Sequence, residues 1–364
     1  YELSGIKREC GMAPNRHATF MERVGSMKKA MLSVVTAVAA LSVFSGCSSG
    51  REPSQNNDGE TCPIYSGSYK IWDASLAERV FFPDYDSLTE NDIEYSKLES
   101  DSVRIDDPRL GKGLYNLYRF KDGRELFCDA GTIVYNKDVN DMHSYMNISK
   151  FDVYPSKDIV QEFYPLREIE GQPSDNALKI AGDIVEQLEI PCLGKPQIYT
   201  CTGTACDDNG NELVPPKDAY YILYHASVDN IDLPYQYTNF TSVGQNGSYG
   251  FAEFIVTADG LEYCDIQYIF DYQEKDTRPI ISREKAVGIL QNTVGRATES
   301  GKTEYSTGEL TYIADANSET GESTLYPVWL FIKSTEKESA PGDENAKISY
   351  KRIFIDAQTG LVLN

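Results

Sequence analysis

Acids, tyrosines and cysteines carry the chemistry available to this chain: 56 Asp and Glu, 25 Tyr and 8 Cys stand beside only 3 His. Only His143 and His225 follow residue 47, too few for a histidine-centred triad plus orienting partners or for a multi-histidine metal site. His225 ends an apolar run and reads as an edge or core histidine. A carboxylate pair could hydrolyse a glycosidic bond, but a sequence does not state the separation of its acids. Asp207-Asp208-Asn209-Gly210-Asn211-Glu212 begins like a calcium loop yet lacks the downstream bidentate Glu of an EF-hand, so it reads as a solvated turn. His-Glu-x-x-His, Gly-x-x-x-x-Gly-Lys and Gly-x-Gly-x-x-Gly are all missing. Gly46-Cys47-Ser48-Ser49-Gly50 has the letters of a nucleophile elbow without the flanking strand and helix. The expectation is a non-enzymatic protein with no metal and no cofactor.

Tyrosine is the informative excess, 25 against 14 Phe. An amphipathic ring can pack on a sheet and still offer a hydroxyl to a ligand. Tyr220, Tyr221 and Tyr224 lie in one apolar run. Tyr235, Tyr237, Phe240 and Tyr249 lie in a weakly patterned excursion from Asp229 to Gly250. Long excursions between strands are disproportionately functional. The second group is therefore the candidate binding surface, for a protein or peptide or, in a second reading, for a solute or glycan. The net charge of -22 repels phosphate backbones and excludes nucleic acid as a partner.

Met27 precedes Lys28-Lys29, an apolar run from Ala30 to Phe44, and Ser45-Gly46-Cys47. A basic start, an apolar stretch too short to span a bilayer and small residues at its end make a secretory signal. Phe44-Ser45-Gly46-Cys47 resembles the lipobox of bacterial lipoproteins. That resemblance implies acylation of Cys47, cleavage before it, and an extracytoplasmic protein held to the membrane by lipid. Residues 1–46 are then upstream sequence and signal peptide, and the polar 47–61 is a flexible tether. Removing six basic and three acidic residues leaves 28 and 53, a net -25. Cys62, Cys128, Cys192, Cys201, Cys206 and Cys264 remain; disulfides and buried thiols both fit, and Cys201 and Cys206 could close a small loop.

The elements that must position these residues fall into three stretches. Residues 62–170 read as an N-terminal α+β domain of short strands, with a turn at Asp129-Ala130-Gly131 and a helix over 157–164. In 171–280, Ser174 caps a helix with Ala177, Ile180, Ala181, Ile184, Val185 and Leu188 on one stripe. Strands follow at 197–202, 219–228, 251–257 and 261–272, with a turn at Ala258-Asp259-Gly260. In 281–364 the order repeats: Ser282 caps a helix bearing Ala286, Ile289, Leu290 and Val294, strands follow, and Gln358-Thr359-Gly360 turns the chain. This repetition implies a duplicated unit of one helix on an antiparallel sheet.

Leu325-Tyr326-Pro327-Val328-Trp329 and Ile355-Asp356-Ala357-Gln358-Thr359-Gly360-Leu361-Val362 resemble the strand and final hairpin of PepSY-like units, found also in extracytoplasmic regulators of the YycH and YycI type. The likeness covers 282–364 and, by duplication, 171–364. It implies an α+β fold of antiparallel sheets each packed by one helix, and a binding or regulatory role toward an envelope protein or peptide. The residues alone imply that Gly360 takes a positive φ and that the Asp356 side chain caps the turn.

Overall fold

The computed structural model describes residues 60–84, 93–97, 116–129, 131–148, 150, 156–207, 210–234, 250–294, 303–317, 322–337 and 347–363. The chain divides into two compact units. Among described residues the smaller comprises 142–144 and 204–216 without 208 and 209; the larger holds everything else.

The chain opens with β1 (Thr61–Tyr69), helix α1 (Ala74–Phe81) and the strands β2 (Ile93–Lys97), β3 (Asn116–Phe120), β4 (Glu125–Asp129) and β5 (Thr132–Asn136). Helices α2 (Lys157–Phe163) and α3 (Ser174–Gln187) precede β6 (Gln197–Cys206), β7 (Glu212–His225), β8 (Ser227–Val228), β9 (Ile231–Asp232), β10 (Phe251–Thr257) and β11 (Gly260–Gln267). Strand β12 (Phe270–Pro279) leads to α4 (Arg283–Val294), β13 (Thr303–Tyr305), β14 (Glu309–Asn317), β15 (Glu322–Lys337), β16 (Lys347–Asp356) and β17 (Val362–Leu363). One sheet runs β2-β3-β4-β5-β11-β10-β7-β6. The other runs β12-β1-β15-β16-β17, with β13 and β14 also on β15.

Strands hold 52% of the described residues and helices 18%, so the fold is mainly antiparallel β. This overturns the expected α+β fold of PepSY-like units with one helix per sheet. Helices α1 and α3 bury Ala77, Phe81, Ala177, Ala181 and Ile184 on one face of the eight-stranded sheet. The other face of that sheet takes Val160 of α2 and the segment bearing Met146 and Ile148. Among the described helices only α4 packs in the core of the seven-stranded sheet, through Ala286 and Leu290. Pairing also ignores the expected boundaries. Cys264 of β11 stands opposite Tyr135 of β5, and β1 is antiparallel to both β12 and β15. A short hairpin cannot bury an apolar face alone, so β4 and β5 complete a sheet begun elsewhere in the chain.

The run 261–272, expected as one strand, is two strands in different sheets. Tyr268 adopts φ +55°, a strained value for an aromatic residue, and breaks the ladder there. The break is closed by a ring of backbone bonds: Lys70 N–H to Ile269 O at 2.9 Å, Gly131 N–H to Lys70 O at 2.8 Å, and Ile269 N–H to Gly131 O at 3.1 Å. Gly131 is required at this joint. Its φ is +67°, and a Cβ there would stand 2.5 Å from the Tyr69 ring.

Helix α3 starts differently from expectation. Pro173 is the N-cap, and the Ser174 amide and hydroxyl both donate to the Glu168 carboxylate at 2.9 and 2.5 Å. Ser282 behaves as expected, accepting from the Lys285 amide at 3.3 Å. The two stretches share one further bond. Tyr220 Oη donates to Gln172 O at 3.0 Å, and Trp329 Nε1 donates to Ile281 O at 3.1 Å. Both acceptors lie two residues before a helix, and both donors lie 48 residues further on. In the eight-stranded sheet β6, β7, β10 and β11 are neighbours, and in the seven-stranded sheet β15 pairs with β14 and β16, and β16 with β17.

Candidate functional site

Cys47, Tyr235, Tyr237, Phe240 and Tyr249 lie outside the described residues. The structure does describe both roots of the excursion that carries the four aromatic residues. Strands β8 and β9 form a two-residue hairpin in which Asp229 and Asn230 have φ +50° and +62°, the left-handed region where Asp and Asn are tolerated best. Tyr65 Oη of β1 donates to the Asp229 carboxylate, and Thr311 Oγ1 of β14 donates to Asp232 O at 2.9 Å. The exit and the return of the excursion meet at a single residue. Leu233 N–H bonds to Ala226 O, and Ala226 N–H bonds to Gly250 O, each at 2.7 Å. Leu233 is buried, and a Cβ on Gly250 would stand 2.7 Å from Tyr268 O. Leu233 and Gly250, on either side of the excursion, are thus both tied to Ala226, next to a hairpin fixed to the seven-stranded sheet through Tyr65 and Thr311.

Beside this clasp, Cys62 Sγ and Tyr312 Oη are 3.1 Å apart, and the Tyr65 and Tyr312 rings meet edge to face at 5.5 Å. Burial is the first cause that pushes the Cys62 thiol and both phenols upward from their usual range. All three are therefore neutral at physiological pH and serve as hydrogen-bonding groups. Burial also raises Asp232, although its hydrogen bond with Ser227 acts the other way.

A carboxylate pair exists, and sequence reasoning could not have named it. Glu253 of β10 stands directly opposite Asp265 of β11, so both side chains leave one face of the sheet with Cβ atoms about 5 Å apart. An opposed carboxylate pair is the arrangement a glycosidase would need, but the surroundings here are those of a buried structural pair. Both residues are buried, at 4% and 3% exposure. Glu253 Oε2 accepts from Tyr221 Oη and from the Ile148 amide, each at 2.9 Å. Asp265 accepts from Tyr263 Oη at 3.1 Å and from Gln267 Nε2 at 2.8 and 2.9 Å. The pair holds the covering segment to the sheet and keeps the local tyrosines in place.

The remaining candidates resolve into structural roles. Tyr220, Tyr221 and Tyr224 are core residues, none more than 6% exposed. His225 is buried, and its ring is held down to about 4, chiefly by burial and secondarily by the charge of Arg352 on β16. In the smaller unit, His143 Nε2 lies 2.9 Å from Pro215 O, and Asp207 accepts from the Asn211 amide and side chain at 2.8 and 2.9 Å. Asp207 therefore closes a turn. No disulfide joins the six described cysteines; Cys201 and Cys206 lie on one strand, and Cys201 is pushed up to about 11 by burial. Among the described residues no cluster of three or more His, Cys, Asp or Glu is placed to hold a metal ion. No helix among them is long and apolar enough to cross a membrane.

No protein-family profile and no curated protein matches this chain. Among solved structures, the crystal structure of an uncharacterized protein from Eubacterium rectale ATCC 33656 has a TM-score of 0.60 at 14% identity, covering 84% of this chain and 86% of that one. At that identity the likeness shows a shared fold alone.

Proposed function

We propose that this is a lipid-anchored extracytoplasmic binding protein that engages a protein or peptide partner through residues 234–249, with the two sheets as scaffold. The observation that carries the reading is the closure of both loop roots on Ala226. A loop held at its base by a rigid sheet presents its side chains at low ordering cost. The lipobox-like Phe44-Ser45-Gly46-Cys47 supports anchoring through Cys47, and Tyr235, Tyr237, Phe240 and Tyr249 supply amphipathic contact area. The buried, bonded state of Glu253 and Asp265 favours a scaffolding role for the one opposed carboxylate pair found above. A solute or glycan at the same aromatic loop is the second reading, favoured by its four rings.

Anchoring is tested by Cys47→Ala. The expected result is release from the membrane fraction or accumulation of unprocessed precursor. Unchanged retention together with unchanged mass rules the anchor out.

A further inference from the structure

Among the described residues five other than glycine have positive φ, and all five gather around Ala226 and the joint between the two sheets. Asp229 and Asn230 form the β8–β9 turn just beyond Ala226. Cys192 has φ +54°, and its carbonyl accepts from the Ser227 amide at 2.7 Å. Next to it Leu193 bridges to Ala226, and the Gly194 amide donates to His225 O at 2.9 Å. Tyr268, at φ +55°, sets its carbonyl against Gly250, whose own carbonyl accepts from the Ala226 amide. Glu189, at φ +49°, accepts on its carbonyl from Lys70 Nζ at 2.9 Å, and Lys70 takes part in two of the three backbone bonds that close the joint. A continuous path of backbone contacts therefore runs from Leu233 through Ala226, Gly250 and Tyr268 to Ile269, Gly131 and Lys70.

Asp and Asn tolerate the left-handed region; Glu, Cys and Tyr are strained there. Strained residues persist where their surroundings over-determine them, and they cluster at clamps and switch regions. We propose that the clasp at Ala226 and the sheet joint at Tyr268 form one conformational unit, through which engagement at residues 234–249 is transmitted to the joint, an inference that rests on the binding function above. Opening at one end removes bonds that hold the other, so the two break together. The stored strain makes that opening easier than opening the centre of the eight-stranded sheet. Leu233 and Gly250 receive the load of a bound partner, and by linkage any change in the joint alters affinity at the excursion by the same factor.

The test is native-state hydrogen exchange on the full chain at low denaturant. The amides of Ala226, Leu233, Gly131 and Ile269 are expected to share one protection factor and one denaturant dependence, with lower protection than the Ile222 amide inside β7. Glu189→Gly, at an exposed side chain, relieves the left-handed strain and is expected to raise protection at all four amides at least threefold. Thr311→Val removes the donor to Asp232 O and is expected to lower protection at all four at least threefold, including Gly131 and Ile269 at the other end. Unequal protection of the four amides overturns the proposal. So do effects confined to Gly131 and Ile269 in Glu189→Gly, or to Leu233 in Thr311→Val. A partner crosslinked at Tyr237 that leaves Gly131 exchange unchanged overturns the coupling while the loop reading stands.

Discussion

At the scale of single residues, the chain uses buried polar groups to fix position. His225 shows the cost of that use. Its ring titrates near 4 in the folded protein against an ordinary 6.5. Between those values the unfolded chain binds the additional proton, so stability rises with pH across the window and is lost as pH falls from about 6.5 to about 4. The size is on the order of 3 kcal/mol. Urea denaturation at pH 7 and pH 4 should therefore show a smaller acid loss in His225→Leu than in the natural protein. Parallel losses would remove His225 as a source. Tyr220→Phe strips a donor from Gln172 O and an acceptor from the Ile169 amide, which bonds the hydroxyl at 2.8 Å. A loss of about 1–3 kcal/mol is expected by denaturant titration; a change below 0.5 kcal/mol, the level of an ordinary surface substitution, contradicts that role.

At the scale of elements, local chemistry was legible and partnership was not. Asp356 Oδ1 accepts from the Gln358 and Thr359 amides at 2.8 Å, and Gly360 has φ +76°, as the residues imply. Both turn glycines have positive φ, but a Cβ on Gly360 would stand 2.8 Å from Ile289 Cδ1 while Gly260 has nothing within 4 Å. Gly360→Ala should thus cost more than Gly260→Ala, which pays only the left-handed strain of about 1–2 kcal/mol; thermal melts of the two variants decide the order. The strand break at Tyr268 was not legible, because 261–272 is uniformly strand-like. Its position depends on Lys70 and Gly131, far away in sequence. The Glu253–Asp265 pair escaped for a related reason. Each acid sits in an apolar strand, and only the β10–β11 register, shifted near Ile255, sets them face to face.

At the scale of the whole molecule, sequence order suggested separate domains because each stretch carries its own helix and turn. The strand edges decided otherwise, joining β5 to β11 and β1 to β12 and β15. The thiols report on the same architecture. Cys62, Cys128, Cys201 and Cys264 are buried, whereas Cys192 and Cys206 are partly accessible. Alkylation without reductant should modify Cys192 and Cys206 first and reach all six only on unfolding; incomplete labelling of the unfolded chain would indicate a disulfide. The proposed binding function is tested most directly by photocrosslinking in intact cells from a reactive residue at Tyr237, with the buried Tyr221 as control. A discrete adduct with a protein or peptide at Tyr237, absent from Tyr221, is the expected result. No adduct at Tyr237, or the same adduct from both positions, would contradict a partner-binding loop clasped at Ala226.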